Sequence, residues 1–119
     1  MSKKDFEERI SVCYPYIREI YERYRDVFDE DLIALYWYPG WSHIIEGVLR
    51  TIEKNNKVDK NKTSIVHIKT QFRSLYVHYC GSGTRHDSLM KTADLACQYS
   101  CRECGNLIKL GDVYCEQCE

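Results

Sequence analysis

The apolar residues of this chain fall into two periodicities. Helical spacing dominates the first half. Phe6, Ile10 and Cys13 recur along one face of an acidic segment, and Pro15 interrupts it, so a break is expected at Tyr14-Pro15. A second helix is predicted from about Tyr16 to Val27, with Ile17, Ile20, Tyr21 and Tyr24 on one side. Asp29-Glu30-Asp31 reads as a polar link. Leu32 to Tyr38 is a short apolar run that fits either a strand or a helix. After a turn at Tyr38-Pro39-Gly40, the residues Trp41, Ile44, Ile45, Val48, Leu49 and Ile52 follow one another at steps of 3, 1, 3, 1 and 3. That is the buried stripe of a third helix, with Ser42 or Gly40 as its expected cap.

Beyond a polar, lysine- and asparagine-rich loop from Lys54 to Lys62, the period changes to two. Ser64–Thr70 and Ser74–Cys80 are predicted strands of a hairpin turning near Gln71-Phe72-Arg73. Leu75, Val77 and Tyr79 share one face of the second strand; Tyr76 and His78 share the other. Gly81 to Thr84 ends the hairpin. A fourth helix is predicted to about Tyr99, capped by Asp87 or Ser88, with Leu89, Ala93, Ala96, Cys97 and Ser100 as a small-residue face. The expected fold class is α+β: helices packed on a β-hairpin, finished by a C-terminal zinc ribbon. The expected organisation is an α+β unit over residues 1–100 and a ribbon over 101–119.

Composition changes this picture in three places. The formal charge of the 119-residue chain is −1, which excludes a wholly basic nucleic-acid binder. The charge is unevenly spread: residues 1–40 carry −3, residues 41–79 carry +4 and residues 80–119 carry −2. No run reaches the roughly 18 apolar residues of a membrane helix, and the first residues lack an apolar signal core, so a cytoplasmic protein is expected. Seven cysteines in a reducing compartment do not read as a disulfide framework.

Four of those cysteines close the chain as Cys101-x2-Cys104-x10-Cys115-x2-Cys118. A C-x2-C turn lets two thiolates converge while backbone N–H groups point at the sulfurs, and Gly105 permits the left-handed residue that such a knuckle requires. Leu107 to Tyr114 is expected to form two short strands around Gly111-Asp112 that bring the second pair opposite the first. Soft thiolates in a tetrahedron favour Zn²⁺ as a structural cofactor, with iron as its main competitor. So short a segment has no apolar core of its own, which makes metal binding its source of folding energy. The stretch resembles the short zinc ribbons found at the ends of many bacterial proteins; Glu119 stands where the second knuckle of those ribbons carries glycine.

The order of motifs along the whole chain resembles a group of uncharacterised small phage and prophage proteins. The residues that carry the likeness are Tyr14-Pro15, Gly40-Trp41 with Ile44-Ile45, then Val66, Lys69, Phe72, Leu75 and Tyr76, and finally Cys101 to Gly105. The chain departs from the group at Arg73-Ser74, which replaces a glycine of the turn, and lacks a cysteine ahead of Gly-Trp. The resemblance implies a phage or mobile-element origin and no particular activity.

The remaining chemistry is sparse. Cys97 is a small buried hydrophobe or a spare ligand, and Cys13 and Cys80 are packing residues. His78 and Cys80 share a strand face, but no third orienting group accompanies them, so no catalytic residues are assigned. His43 and His67 have no ligand partner in spacing. Ten tyrosines and two tryptophans crowd a short chain, mostly before residue 42, a composition suited to interface anchors. The leading expectation is a non-enzymatic inhibitor of anti-defence or anti-CRISPR type that binds a host protein or defence complex, with Asp26, Asp29, Glu30 and Asp31 imitating nucleic-acid charge. The alternative is a nucleic-acid-associated regulator that uses the ribbon with Lys69, Arg73 and Tyr76.

Overall fold

The protein is described here from a computed structural model covering residues 14–81 and 86–118. The expected helix over Phe6, Ile10 and Cys13 lies outside the described residues. The first helix described, α1 (Pro15–Arg23), begins at the proline itself. Pro15 occupies the first helical position, where its missing N–H costs no bond and its fixed φ suits the helix. The helix is shorter than the periodicity predicts. It ends at Arg23, and a 3₁₀ turn, Arg25–Val27, completes the segment. Ile17, Ile20, Tyr21 and Tyr24 are nonetheless all buried.

The ambiguous run resolves as a two-residue strand, β1 (Ala34–Leu35). A 3₁₀ turn, Pro39–Trp41, leads into α2 (Ser42–Asn56). Neither predicted cap is used: Trp41 precedes the helix without a side-chain bond, and the Ser42 hydroxyl instead accepts from Trp37 Nε1 at 3.0 Å. The helix extends into the polar stretch expected to be loop. Asn56 then closes the loop with paired 2.9 Å bonds to the backbone of Thr63.

The hairpin is β2 (Ser64–Gln71) and β3 (Ser74–Cys80), followed by α3 (Asp87–Gln98). Asp87 and Ser88 do not cap α3; His86 precedes it, and the Asp87 carboxylate accepts from the Tyr79 hydroxyl. The sheet has three strands in the order β1-β2-β3, with β1 parallel and β3 antiparallel to the central β2. A bulge between Ile65 and His67 shifts the alternation by one residue. Ile65 and Ile68 therefore both face the core despite their odd spacing, and both are essentially inaccessible.

The core lies on one side of this sheet. Ile65, Ile68 and Leu75 meet Ile45, Val48, Leu49 and Ile52 of α2, with Trp37 and Trp41 fully buried beside them. The α3 helix packs on β3, where Asp94 accepts from the Leu75 N–H at 2.9 Å. Arg23 of α1 reaches Glu46 of α2 at 2.7 Å, an exposed pair worth only a few tenths of a kcal/mol. The expected pair of tail strands around Gly111-Asp112 does not form. The tail is built from turns, with a single bridge between Ser100 and Leu107. Knuckle backbone bonds close on themselves and leave few groups free for a ladder.

Two glycines make opposite predictions. A Cβ on Gly40 would lie 2.0 Å from the Cys101 carbonyl oxygen and 2.6 Å from the Gly105 nitrogen, both backbone atoms that cannot move aside. A Cβ on Gly47, within α2, would meet nothing within 4 Å. Chemical denaturation is expected to show Gly40→Ala destabilised by about 1–3 kcal/mol through overpacking. Gly47→Ala should be stabilised by roughly 0.5–1 kcal/mol through helix propensity. An unaffected Gly40→Ala protein would show that the tail does not press on this residue.

Candidate functional site

The first knuckle is held by backbone contact before any ion is considered. Gly40 N–H donates to the Arg102 carbonyl at 2.7 Å, and Trp41 Nε1 donates to the Ser100 carbonyl at 3.2 Å. Inside the knuckle, Cys101 N–H donates to Asn106 at 2.8 Å and Gly105 N–H donates back to Cys101 at 3.0 Å. Gly105 has φ +81°, and a Cβ there would strike the Gly40 carbonyl at 2.6 Å. The second pair is turned by a Cys118 N–H bond to Cys115 at 3.0 Å.

These turns bring Cys101, Cys104, Cys115 and Cys118 together, with their four sulfurs all within 4.8 Å of one another. Cys104 Sγ and Cys115 Sγ are 3.5 Å apart. A tetrahedral ion with metal–sulfur bonds of about 2.3 Å separates its sulfurs by about 3.8 Å, so the cluster fits such an ion. Cys97, the spare candidate, does not join it. Its side chain is buried in the core, and burial pushes its thiol far up.

The electrostatics of the sulfurs also suit a cation. Burial pushes Cys101 up, but N–H groups of Cys104, Cys115 and Glu103 aimed at its sulfur win and lower it to about 6. The Asn106 N–H lowers Cys104, yet burial and the protons shared with Cys115 and Cys101 leave it raised. Cys118 is pushed up to about 12, first by its hydrogen bond with Cys115 and then by burial. One thiolate thus opposes the ionisation of its neighbours, a conflict that a bound divalent cation removes.

The tail does more than gather sulfurs. Arg102, between two ligands, lays its guanidinium over the Tyr38 ring at 4.3 Å and donates to the Phe72 carbonyl at 2.8 Å. Tyr38 belongs to a chain of edge-on rings. Tyr14 and Tyr36 are 5.4 Å apart, Tyr36 and Tyr38 5.7 Å, and Tyr38 and Trp41 4.9 Å. Burial raises the Tyr36 hydroxyl, followed by the repulsion of Tyr38 and Tyr14; Arg102 opposes them and Tyr114 of the tail adds to them.

Two separate cross-strand pairs lie on the face of the sheet opposite the core. Lys69 pairs with Tyr76 across the hairpin, its Nζ 5.7 Å from the ring centre. His67 pairs with His78, with ring centres 5.4 Å apart. Tyr76, His78 and Cys80 on this side of β3 are exposed.

Of the three residues predicted for nucleic acid, Lys69 and Tyr76 come together, whereas Arg73 sits at the turn in a crevice with Arg102 and Asp112. Tyr38 is one of the crowded early tyrosines expected to serve as interface anchors, whereas the sequence does not single out Arg102, whose sole signal is a basic residue inside a knuckle. Asp26, Asp29, Glu30 and Asp31 do gather, around a shallow basin of about 380 Å³ with Phe28 and Ser64. Asp29 is partly engaged there, accepting from the Asp31 N–H at 2.8 Å and from the Cys80 thiol at 3.8 Å. Burial, then Asp29, pushes the Cys80 thiol up, the reverse of an activated nucleophile. His43 lies against Gly105 rather than near a catalytic partner.

No family model matches the chain, and no curated protein or solved structure matches it. Among the described residues, no helix is long and apolar enough to cross a membrane.

The His67 imidazole is lowered from its ordinary 6.5 by burial, then by His78 and Lys69. A histidine with a lowered folded pKa contributes stability above about pH 6.5 and loses it as pH falls through the folded value. An NMR titration should place the His67 midpoint below 6.5, and Lys69→Gln should move it upward. A midpoint above 6.5 would mean that the two histidines and the lysine do not share this face.

Proposed function

We propose that this chain is a non-enzymatic binding protein in which a structural zinc fixes an arginine–tyrosine surface for nucleic acid. The observation that carries the reading is Arg102. It stands between two sulfur ligands and stacks on Tyr38, just ahead of the Pro39–Trp41 turn. A zinc ion is favoured because four thiolates saturate its tetrahedron, leaving no position for water or substrate. Lys69 and Tyr76 on the outer face of the hairpin supply a second pairing of cation and ring. Cationic groups meet phosphates while aromatic rings meet bases. A closed metal site and a raised Cys80 thiol support a role in binding rather than catalysis.

A second reading is the host protein or defence complex expected of a phage-encoded inhibitor. The basin of Asp26, Asp29, Glu30 and Asp31 favours it, because a gathered set of carboxylates can imitate phosphates before a basic groove. The resemblance of the motif order to phage and prophage proteins supports it as well.

Two measurements test the proposal. Elemental analysis of freshly reduced protein should find one zinc per chain, lost together with thermal stability on chelation or in Cys104→Ser; a metal-free folded chain would overturn the zinc. Anisotropy titrations of labelled oligonucleotide across salt should give a log–log slope of about −2, from two to three neutralised phosphates. Lys69→Ala and Arg102→Ala should each flatten that slope by about 1. Salt-independent or absent binding would favour the second reading, which predicts that serines at Asp26, Asp29, Glu30 and Asp31 abolish capture of the protein partner.

A further inference from the structure

The hairpin tip carries a residue that stability alone would not choose. Phe72 has φ +57°, whereas the neighbouring turn residue Arg73 has no positive φ. Gln71 pairs with Ser74 across this two-residue turn. A positive φ at the first central position alone is the pattern of a type II′ turn, a place for glycine. A bulky side chain there is strained. Its ring is also 84% exposed, so packing does not compensate. Tyr76, on the adjoining strand, is 41% exposed with Lys69 beside it. Two accessible rings therefore stand at one end of the hairpin, with the Arg102 guanidinium bonded to the backbone of the first.

Resting on the nucleic-acid reading above, we infer that this end of the sheet binds a single strand, unpaired bases stacking on Tyr76 and Phe72 while Lys69 and Arg102 meet its phosphates. Stacking needs a free base face, which a duplex hides within its own stack. Phosphate contact alone is a weak alternative, because the cations here are few and the chain as a whole carries −1. Charge also divides along β2. The acidic basin touches Ser64, five residues or roughly 17 Å of strand from Lys69. A long duplex laid on Lys69 and running along β2 would approach those carboxylates. A flexible strand crossing the hairpin at its tip avoids them. Glu103, beside Arg102 in the chain and close enough to Tyr16 to act on its hydroxyl, bounds the surface on the tail side.

The test uses the zinc-loaded full chain at about 50 mM salt, with three fluorescein-labelled probes: a deoxythymidine 12-mer, a uridine 12-mer and a 12-base-pair DNA duplex. Each single strand is expected to bind at least about tenfold more tightly than the duplex. Tyr76→Ala should weaken single-strand binding by about fivefold or more. Phe72→Gly should weaken it similarly while raising the melting temperature, because glycine relieves the positive φ; that pairing separates lost stacking from lost folding. The ratio of the two single-strand affinities distinguishes DNA from RNA as the source of the strand. Equal or tighter duplex binding, insensitive to Tyr76→Ala, would overturn the inference while leaving the nucleic-acid reading in place. No binding of any probe by the zinc-loaded protein would overturn both.

Discussion

The contact on which the rest of this protein depends is the approach of two backbones, Gly40 and the first cysteine knuckle. Gly40 N–H reaches the Arg102 carbonyl at 2.7 Å, and no Cβ fits on either Gly40 or Gly105 at this junction. Such an approach is available only to glycine, and it places the knuckle directly against the turn that begins α2. Trp41, the next residue, sits in the core and bonds to Ser100 just ahead of the first cysteine. The same dipeptide therefore anchors α2 and receives the tail. An ion bound by the four sulfurs would stiffen a segment already fitted against the Pro39–Trp41 turn.

From that junction the surface chemistry follows. The side of the sheet carrying Ile65, Ile68 and Leu75 is filled by helices, and the other side keeps its polar and aromatic residues accessible. The bulge at Val66 makes this division possible. It keeps two isoleucines inward while returning His67 and Lys69 to the outer face, opposite His78 and Tyr76. The carbonyl of Val66 is not wasted by the irregularity, since Ile33 N–H donates to it at 2.9 Å as the chain enters β1. Local disruption of the ladder is thus satisfied by the neighbouring segment, as buried backbone groups require.

Legibility in the sequence tracked how local each interaction is. The stripe from Trp41 to Ile52 and the alternation from Leu75 to Tyr79 depend on spacing alone, and both were readable. So was the sulfur cluster, because C-x2-C turns are short and self-contained. The caps are not legible: Ser42 and Asp87 are engaged by side chains just outside their own helices, Trp37 Nε1 and the Tyr79 hydroxyl, which helical spacing does not reveal. The absence of tail strands has a local origin instead, in knuckle turns whose backbone bonds close within themselves. Arg102 was invisible as a surface residue, because its meaning arises when residues 38, 72 and 102 are brought together from three parts of the chain.

The coupling between ion and surface is a matter of thermodynamic linkage rather than of distance. The free energy of metal binding to a tail without its own core is free energy of ordering that tail. Ordering the tail positions Arg102, and Arg102 in turn holds Tyr38 from one side and the hairpin tip from the other. Any ligand that prefers this arrangement must then favour the metal-bound tail by the same factor, since coupling free energies are reciprocal. A metal site closed to chemistry would on this linkage still bear on any ligand of the surface. With an ion bound, its contribution would be to decide how often the arginine is found where the rings are.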